Sequence, residues 1–121
     1  MAKDHLSDLR SLVSRLSERV DGINVVECKH FFGGAAAYVD GHIFMTLTSV
    51  GLALKLPEHD RAALMAIGAK PLRYFPKAPI KKEYVILPNR VVKDDGVMPP
   101  LVRKSMSFAT RQARENKQSK E

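Results

Sequence analysis

One cysteine, no long apolar run and no cationic-then-apolar leader are what this chain conspicuously offers, and each shortage removes a class of protein. With Cys28 as the sole thiol, an internal disulfide framework and a thiolate metal cage are both excluded. No apolar stretch approaches the roughly 20 residues that carry a helix across a bilayer. The opening Met1-Ala2-Lys3-Asp4-His5 is charged but not followed by an apolar segment, so no secretory signal is expected and a cytoplasmic location is the default.

What is present suits an ordinary α+β domain. The 121 residues are one domain's worth, enough to hide roughly two-thirds of the unfolded surface without staples. The net charge of +7 is unevenly placed. Residues 1–60 hold six Lys/Arg against eight Asp/Glu, whereas residues 61–121 hold fourteen against five. Such asymmetry points to an acidic partner, protein or nucleic acid; the competing reading is a solvated basic face that keeps the protein soluble.

Asp4 to Val20 reads as an amphipathic helix: Leu6, Leu9, Leu12, Val13, Leu16 and Val20 recur at three and four residues, Asp4 is placed to cap, and Asp21-Gly22 to stop. The period then switches to two. Val25 to Lys29 reads as a strand, Gly33-Gly34 as a bulge or close backbone approach, and Ala35 to Val39 with His42 to Thr48 as a hairpin closed by Asp40-Gly41. That turn pairs Val39 with His42, Tyr38 with Ile43 and Ala36 with Met45. A return at Ser49-Val50 pairs Leu47 with Leu52, Met45 with Leu54 and Ile43 with Leu56. One face then carries Tyr38, Ile43, Met45, Leu47, Leu52, Leu54 and Leu56. The other carries Ala35, Ala37, Val39, His42, Phe44, Thr46, Ala53 and Lys55, apolar enough to suggest a homodimer through that face or the last helix, the competing reading being that the chain's own helices cover it.

Pro57 opens a second helix that buries Leu64 and Ile67 and stops at Gly68. Leu72 to Phe75 and Glu83 to Leu87 read as short strands, Pro88 to Pro100 as a turn-rich connector, and Leu101 to Arg114 as a last helix burying Leu101, Val102, Met106, Phe108 and Ala109. The architecture expected is an antiparallel β-meander with N-terminal, middle and C-terminal helices packed on it, ordered from about residue 4 to 114 with a frayed tail.

Phe31-Phe32-Gly33-Gly34, followed by Tyr38-x-Asp40-Gly41 and by Phe44 three residues after the glycine, resembles the signature of the TfoX N-terminal domain family. The order downstream is similar too: Leu52-Ala53-Leu54-Lys55, a helix from Glu58 to Ile67 ending in Gly68, the aromatic Arg73-Tyr74-Phe75 and a final helix. The resemblance covers roughly residues 8 to 113. It implies an α+β domain known as the N-terminal half of bacterial competence regulators and also found alone, here without their C-terminal half. It implies a regulatory or interaction role linked to transcription or competence, with no catalytic residues and no cofactor. The motif residues are Phe32, Gly33, Gly34, Tyr38, Asp40, Gly41 and Phe44. Two departures are the Ala35-Ala36-Ala37 run, where the family usually has another glycine or an aromatic residue, and the lack of tryptophan in the last helix. YjbR-like domains are a second, related shape.

No enzyme chemistry emerges from the remaining residues. Cys28-x-His30 with His42 falls short of a zinc ligand set, His5 and His59 lying on other elements. Cys28 and His30 on one strand are about 7 Å apart, too far for a nucleophile–base hydrogen bond. Gly33-Gly34 lacks the following helix and Lys-Ser/Thr of a phosphate loop, and Asp94-Asp95 beside Gly96 is turn chemistry.

Lys70 to Lys82 mixes cations with aromatic rings, a composition that holds phosphates while bases stack, or one in which lysines blunt an edge strand. At 100° per residue, Arg103, Arg111 and Arg114 fall within about one-third of a helix circumference, with Lys104 on a neighbouring stripe. Arg73, Lys77, Lys81, Lys82, Arg103, Lys104, Arg111 and Arg114 are therefore the candidate contacts to an acidic protein or to nucleic acid. A chelator should leave the melting temperature and any binding unchanged; stoichiometric zinc in protein never exposed to an affinity column would overturn that.

Overall fold

Leu9, Leu12 and Leu16 recur at helical spacing and are all buried, and the Asp4 carboxylate accepts a hydrogen bond from the Ser7 amide at 3.0 Å. These features define helix α1 (His5–Leu16) in the computed structural model, which describes residues 4–31 and 33–119. The helix stops one turn before Val20. The amides of Arg19 and Val20 both return to the Leu16 carbonyl, Gly22 takes φ 81°, and a single 3₁₀ turn (Ile23–Val25) follows. Val20 and Ile23 are buried nonetheless, because the tightened chain still folds back on the core.

Six antiparallel strands then form one sheet: β1 (Glu27–Phe31), β2 (Gly34–Val39), β3 (His42–Thr48), β4 (Gly51–Lys55), β5 (Lys70–Leu72) and β6 (Lys81–Ile86), in spatial order β1-β2-β3-β4-β6-β5. The first four are a meander, as the alternating pattern implies. β1 starts two residues later than expected. Between β2 and β3, Asp40 at φ 51° and Gly41 at φ 78° supply the two positive angles of a type I′ turn.

The expected register holds only beside that turn. Val39 pairs with His42 and Tyr38 with Ile43, but Ala37 then pairs with Met45, Ala36 with Thr46 and Ala35 with Leu47. Phe44 is the extra residue of a β-bulge, so Ala36 does not face Met45. A bulge reverses parity for everything beyond it. Ala35, Ala37, Val39 and Phe44 thus join Met45, Leu52, Leu54 and Leu56 in one helix-covered core, and the face expected to be left for a homodimer is used inside the chain. Pairing of β3 with β4 follows expectation at Leu47 with Leu52 and Met45 with Leu54, but it stops there: beyond the bulge Ile43 does not pair with Leu56, whose amide bonds the Glu83 carbonyl instead.

Helix α2 (Glu58–Met65) begins after Pro57 and ends in a turn where the Ala69 amide reaches the Leu64 carbonyl around Gly68 at φ 111°. This early stop turns Ile67 outward, 49% exposed, against the expectation that it packs inward. The connector after β6 holds one further helical turn, α3 (Asn89–Val92), and Asp94 then accepts the amides of Gly96 and Val97 to lead into α4 (Met98–Ser119). Helix α4 buries Met98, Val102, Met106 and Ala109, while Leu101 and Phe108 are half-buried. Its described turns run past Arg114. Helices α1 and α4 lie side by side on the strands of the meander, and α2 leans on β6.

The other sheet face is floored by Ala36, Thr46 and Ala53, all at 0% exposure. The segment from Arg73 to Ile80 covers it, with Tyr74 against Thr46 and with Leu72 and Ala78 buried. The Tyr74 ring meets Phe31 edge-on at 6.0 Å, so the chain leaving the β5 edge reaches the β1 edge.

Two substitutions check this arrangement. A Cβ on Gly34 would stand 2.5 Å from the Leu47 carbonyl oxygen and 2.7 Å from Thr48 Cγ2, so Gly34→Ala should cost about 1–3 kcal/mol by overpacking. The buried Ser105 hydroxyl of α4 donates to the carbonyl of bulge residue Phe44 at 3.0 Å. Ser105→Ala leaves that carbonyl unsatisfied and should cost about 1–3 kcal/mol. Urea unfolding midpoints read both.

Candidate interaction surface

Each described residue of the aromatic-Gly-Gly and Tyr-x-Asp-Gly motif has a structural task. Gly33 turns the β1–β2 hairpin at φ 75°, and Gly34 admits the β3 backbone. Tyr38 lies under the Lys29 ammonium at 5.4 Å from its ring centroid, Asp40 and Gly41 make the turn, and Phe44 fills the bulge with no exposure. Phe32 lies outside the described residues. The motif builds a pair of linked hairpins; it does not gather reactive groups. Gly33 and Gly34 do not act together as a loop of amides, since one is in a turn and the other is buried in a strand.

Cys28 and His30 project from β1 opposite Ala37 and Ala35. Burial pushes the Cys28 thiol up, and nearby Arg10 only partly offsets it, the reverse of the depressed value that a nucleophilic thiol needs. Among the described residues no three His, Cys, Asp or Glu side chains converge as a metal site.

The positive charge is divided by residue type. Arginines mostly tie the fold together through backbone carbonyls, a use suited to their forked donors. Arg15 reaches the Val92 carbonyl at 2.8 Å and the Asp95 carboxylate at 3.2 Å, and Arg19 reaches the Asp95 carbonyl at 2.9 Å. Arg61 joins the Leu56 and Lys82 carbonyls, and Arg90 holds Ile67. Two candidate contacts are engaged in the same way. Arg103 donates to the Arg19 carbonyl at 2.8 Å, and Arg73 to the Pro76 carbonyl at 3.3 Å. Lys104 pairs with Asp60 of α2 at 3.1 Å. The proposed basic stripe on α4 is thus split: Arg103 turns toward the end of α1, Lys104 toward α2, and only Arg111 and Arg114 stay exposed without a described partner.

Lys77, Lys81 and Lys82 are also exposed, and among the described residues they enter no salt bridge. They lie with Lys70 and Arg73 in a stretch, residues 70–82, that contains no acid. Two hollows flank its second half. One, of about 490 Å³, is walled by Tyr74, Phe75, Ala78, Pro79 and Lys81. The other, of about 400 Å³, is lined by Glu58, Arg61 and Met65 of α2 together with Pro71, Ile80, Lys82 and Tyr84. Between Arg111 and Arg114 on α4, Gln112 donates a 2.6 Å hydrogen bond to Glu83 of β6. That carboxylate, also paired with Lys55 at 3.4 Å, interrupts the positive surface. Of the exposed apolar residues beside these lysines, Phe75 belongs to the cation-and-ring stretch expected from the sequence, whereas Met65 and Ile80 were not anticipated.

Under the covering segment, Thr46 is fully buried and faces the Tyr74 phenol. Burial raises both Tyr74 and Tyr84; for Tyr84 the shift is large, and Tyr74, Glu83 and Tyr38 add to it. The folded protein therefore keeps the Tyr84 proton after the unfolded chain has released its own, so the unfolded state binds fewer protons at high pH. The contribution is fully present below the ordinary phenol pKa of about 10 and is lost as pH rises above it. The melting temperature should fall in that range, and Tyr84→Phe should flatten the fall, both readable by thermal scans between pH 8 and 11.

No curated protein matches the chain. The family model of the TfoX N-terminal domain matches residues 18–109, a span that begins just after α1, ends about halfway along α4 and includes both hairpins, the bulge and the basic segment. The chain belongs to the TfoX N-terminal domain family.

Proposed function

We propose that this protein is a non-enzymatic regulatory module that binds an acidic partner through the β5–β6 segment. The observation that carries the reading is the acid-free stretch of residues 70–82, where Lys77, Lys81 and Lys82 remain exposed after the arginines have been drawn into the fold. A cation that serves packing is tied to a carbonyl or carboxylate, as Arg61 and Lys104 are. Cations left unpaired around apolar hollows are instead available to a ligand of opposite charge. Family membership supports a regulatory role, and a link to transcription or competence is part of the same proposal. The β5 edge itself is protected from strand addition by its length of three residues and by Pro71, so recognition is assigned to side chains.

Weak binding of nucleic acid is the second reading, favoured by exposed Phe75 amid cations. A polarisation titration with a labelled 20-mer DNA and with labelled polyglutamate, at about 50 mM and 200 mM salt, tests both. Expected is salt-sensitive binding of polyanion that weakens several-fold in Lys77→Gln/Lys81→Gln/Lys82→Gln, with the salt slope reduced by up to about one per lost contact. Arg111→Gln/Arg114→Gln should change it less. Failure of both probes to bind the parent at the lower salt would leave the basic segment a solvated surface. Light scattering on the same samples reads self-association.

A further inference from the structure

Large apolar side chains are rarely left exposed in one neighbourhood, because each costs hydrophobic free energy that burial recovers. Among the described residues, exposed large apolar side chains are Val25, Met65, Ile67, Phe75, Ile80 and Val97. Four of these six lie between positions 65 and 80, on the end of α2 and the segment linking β5 to β6. Phe75, at 60% exposure, walls one hollow, and Ile80 and Met65 line the other. Lys81 lines the first hollow and Lys82 the second, so each hollow has an ammonium group in its wall beside apolar side chains.

We infer that this surface receives an acidic peptide segment carrying two apolar anchor side chains, one for each hollow. The inference rests on the binding reading above and supplies the chemistry of the partner. Charge complementarity selects the sign: residues 70–82 contain five cations and no carboxylate, and the one acid lining the hollows, Glu58, is outnumbered by Arg61, Lys81 and Lys82. The shape of the surface selects peptide over single-stranded nucleic acid. Successive bases need successive rings to stack on, yet Phe75 is the only exposed aromatic residue described here. Phe31, Tyr38, Tyr74 and Tyr84 are half-buried, the first and third packed on each other. Two hollows of about 490 and 400 Å³ suit apolar side chains, which anchor interfaces by filling desolvated pockets. Pro71, Pro76 and Pro79 restrict the backbone of this segment before any ligand arrives, which lowers the ordering cost of binding.

The test uses the full chain and fluorescein-labelled 14-residue peptides rich in Asp and Glu. Three carry two leucines spaced by two, four or seven residues, and one carries serines in their place; a labelled dT20 is the nucleic-acid arm. At least one leucine peptide should bind about tenfold tighter than the serine peptide. Phe75→Ser and Ile80→Ser should each remove most of that advantage while leaving the serine peptide's binding and the melting temperature nearly unchanged, since both side chains are already exposed. The inference is overturned if the serine peptide or dT20 binds as tightly as the best leucine peptide, or if both variants bind the leucine peptides like the parent. In either case the basic surface still holds anions, and the broader reading stands. Absence of binding by every anionic probe at low salt overturns the broader reading together with this one.

Discussion

The extra residue at Phe44 governs how the rest of the chain is disposed. A strand paired without interruption from the Asp40-Gly41 turn would send Ala35, Ala37, Val39 and Phe44 to the face opposite Met45 and the β4 leucines. The bulge removes Phe44 from pairing with either neighbouring strand and brings both sets together under α1 and α4. It leaves the second face with a floor of Ala36, Thr46 and Ala53, small enough for the Arg73–Ile80 segment to lie directly on it. Ser105 makes the arrangement specific, because its hydroxyl satisfies the Phe44 carbonyl from the middle of α4. Helix, bulge and roof are therefore consequences of one register change, and a buried carbonyl without a partner would destabilise all three.

Charge is allocated by the same logic. Six of the nine arginines donate to backbone carbonyls at places where regular structure ends: Val92, Asp95, Leu56, Lys82, Ile67, Arg19 and Pro76. Guanidinium groups can bridge two acceptors and are less strongly hydrated than ammonium groups, so they suit these sites. Lysines are compact, well-hydrated charges and mostly stay in solvent. A net charge of +7 therefore overstates the surface free to meet a partner, which is reduced chiefly to the lysines of the β5–β6 segment and the last arginines of α4.

Family motif and interaction surface are separate parts of the molecule. The motif residues described here set turns, a close strand approach and the bulge. The exposed apolar and cationic residues lie later in the chain, at the end of α2 and on the segment that links β5 to β6. A framework retained for folding can thus present different partner surfaces, since residues such as Phe75 and Ile80 are exposed and carry little packing energy.

Local signals in the sequence determined much of the architecture. The leucine period of α1, Asp4 as its cap, the Asp-Gly turn, the β3–β4 register and Pro57 before α2 each depend on contacts a few residues apart, so they were legible. The consecutive Ile43-Phe44-Met45 run carried a hint of the bulge, but its position depends on Ser105, sixty-one residues away along the chain. Ile67 faces outward because Gly68 reverses the chain early, and Arg103 and Lys104 diverge because their acceptors belong to different elements. The candidate surface was legible as composition, in the cations and rings of residues 70–82, but not as geometry. Only the tertiary structure decided which arginines were consumed by carbonyls and which apolar side chains stayed in solvent. The physical reason is that turn and helix preferences are local free energies, whereas burial and charge pairing depend on elements brought together from distant parts of the chain.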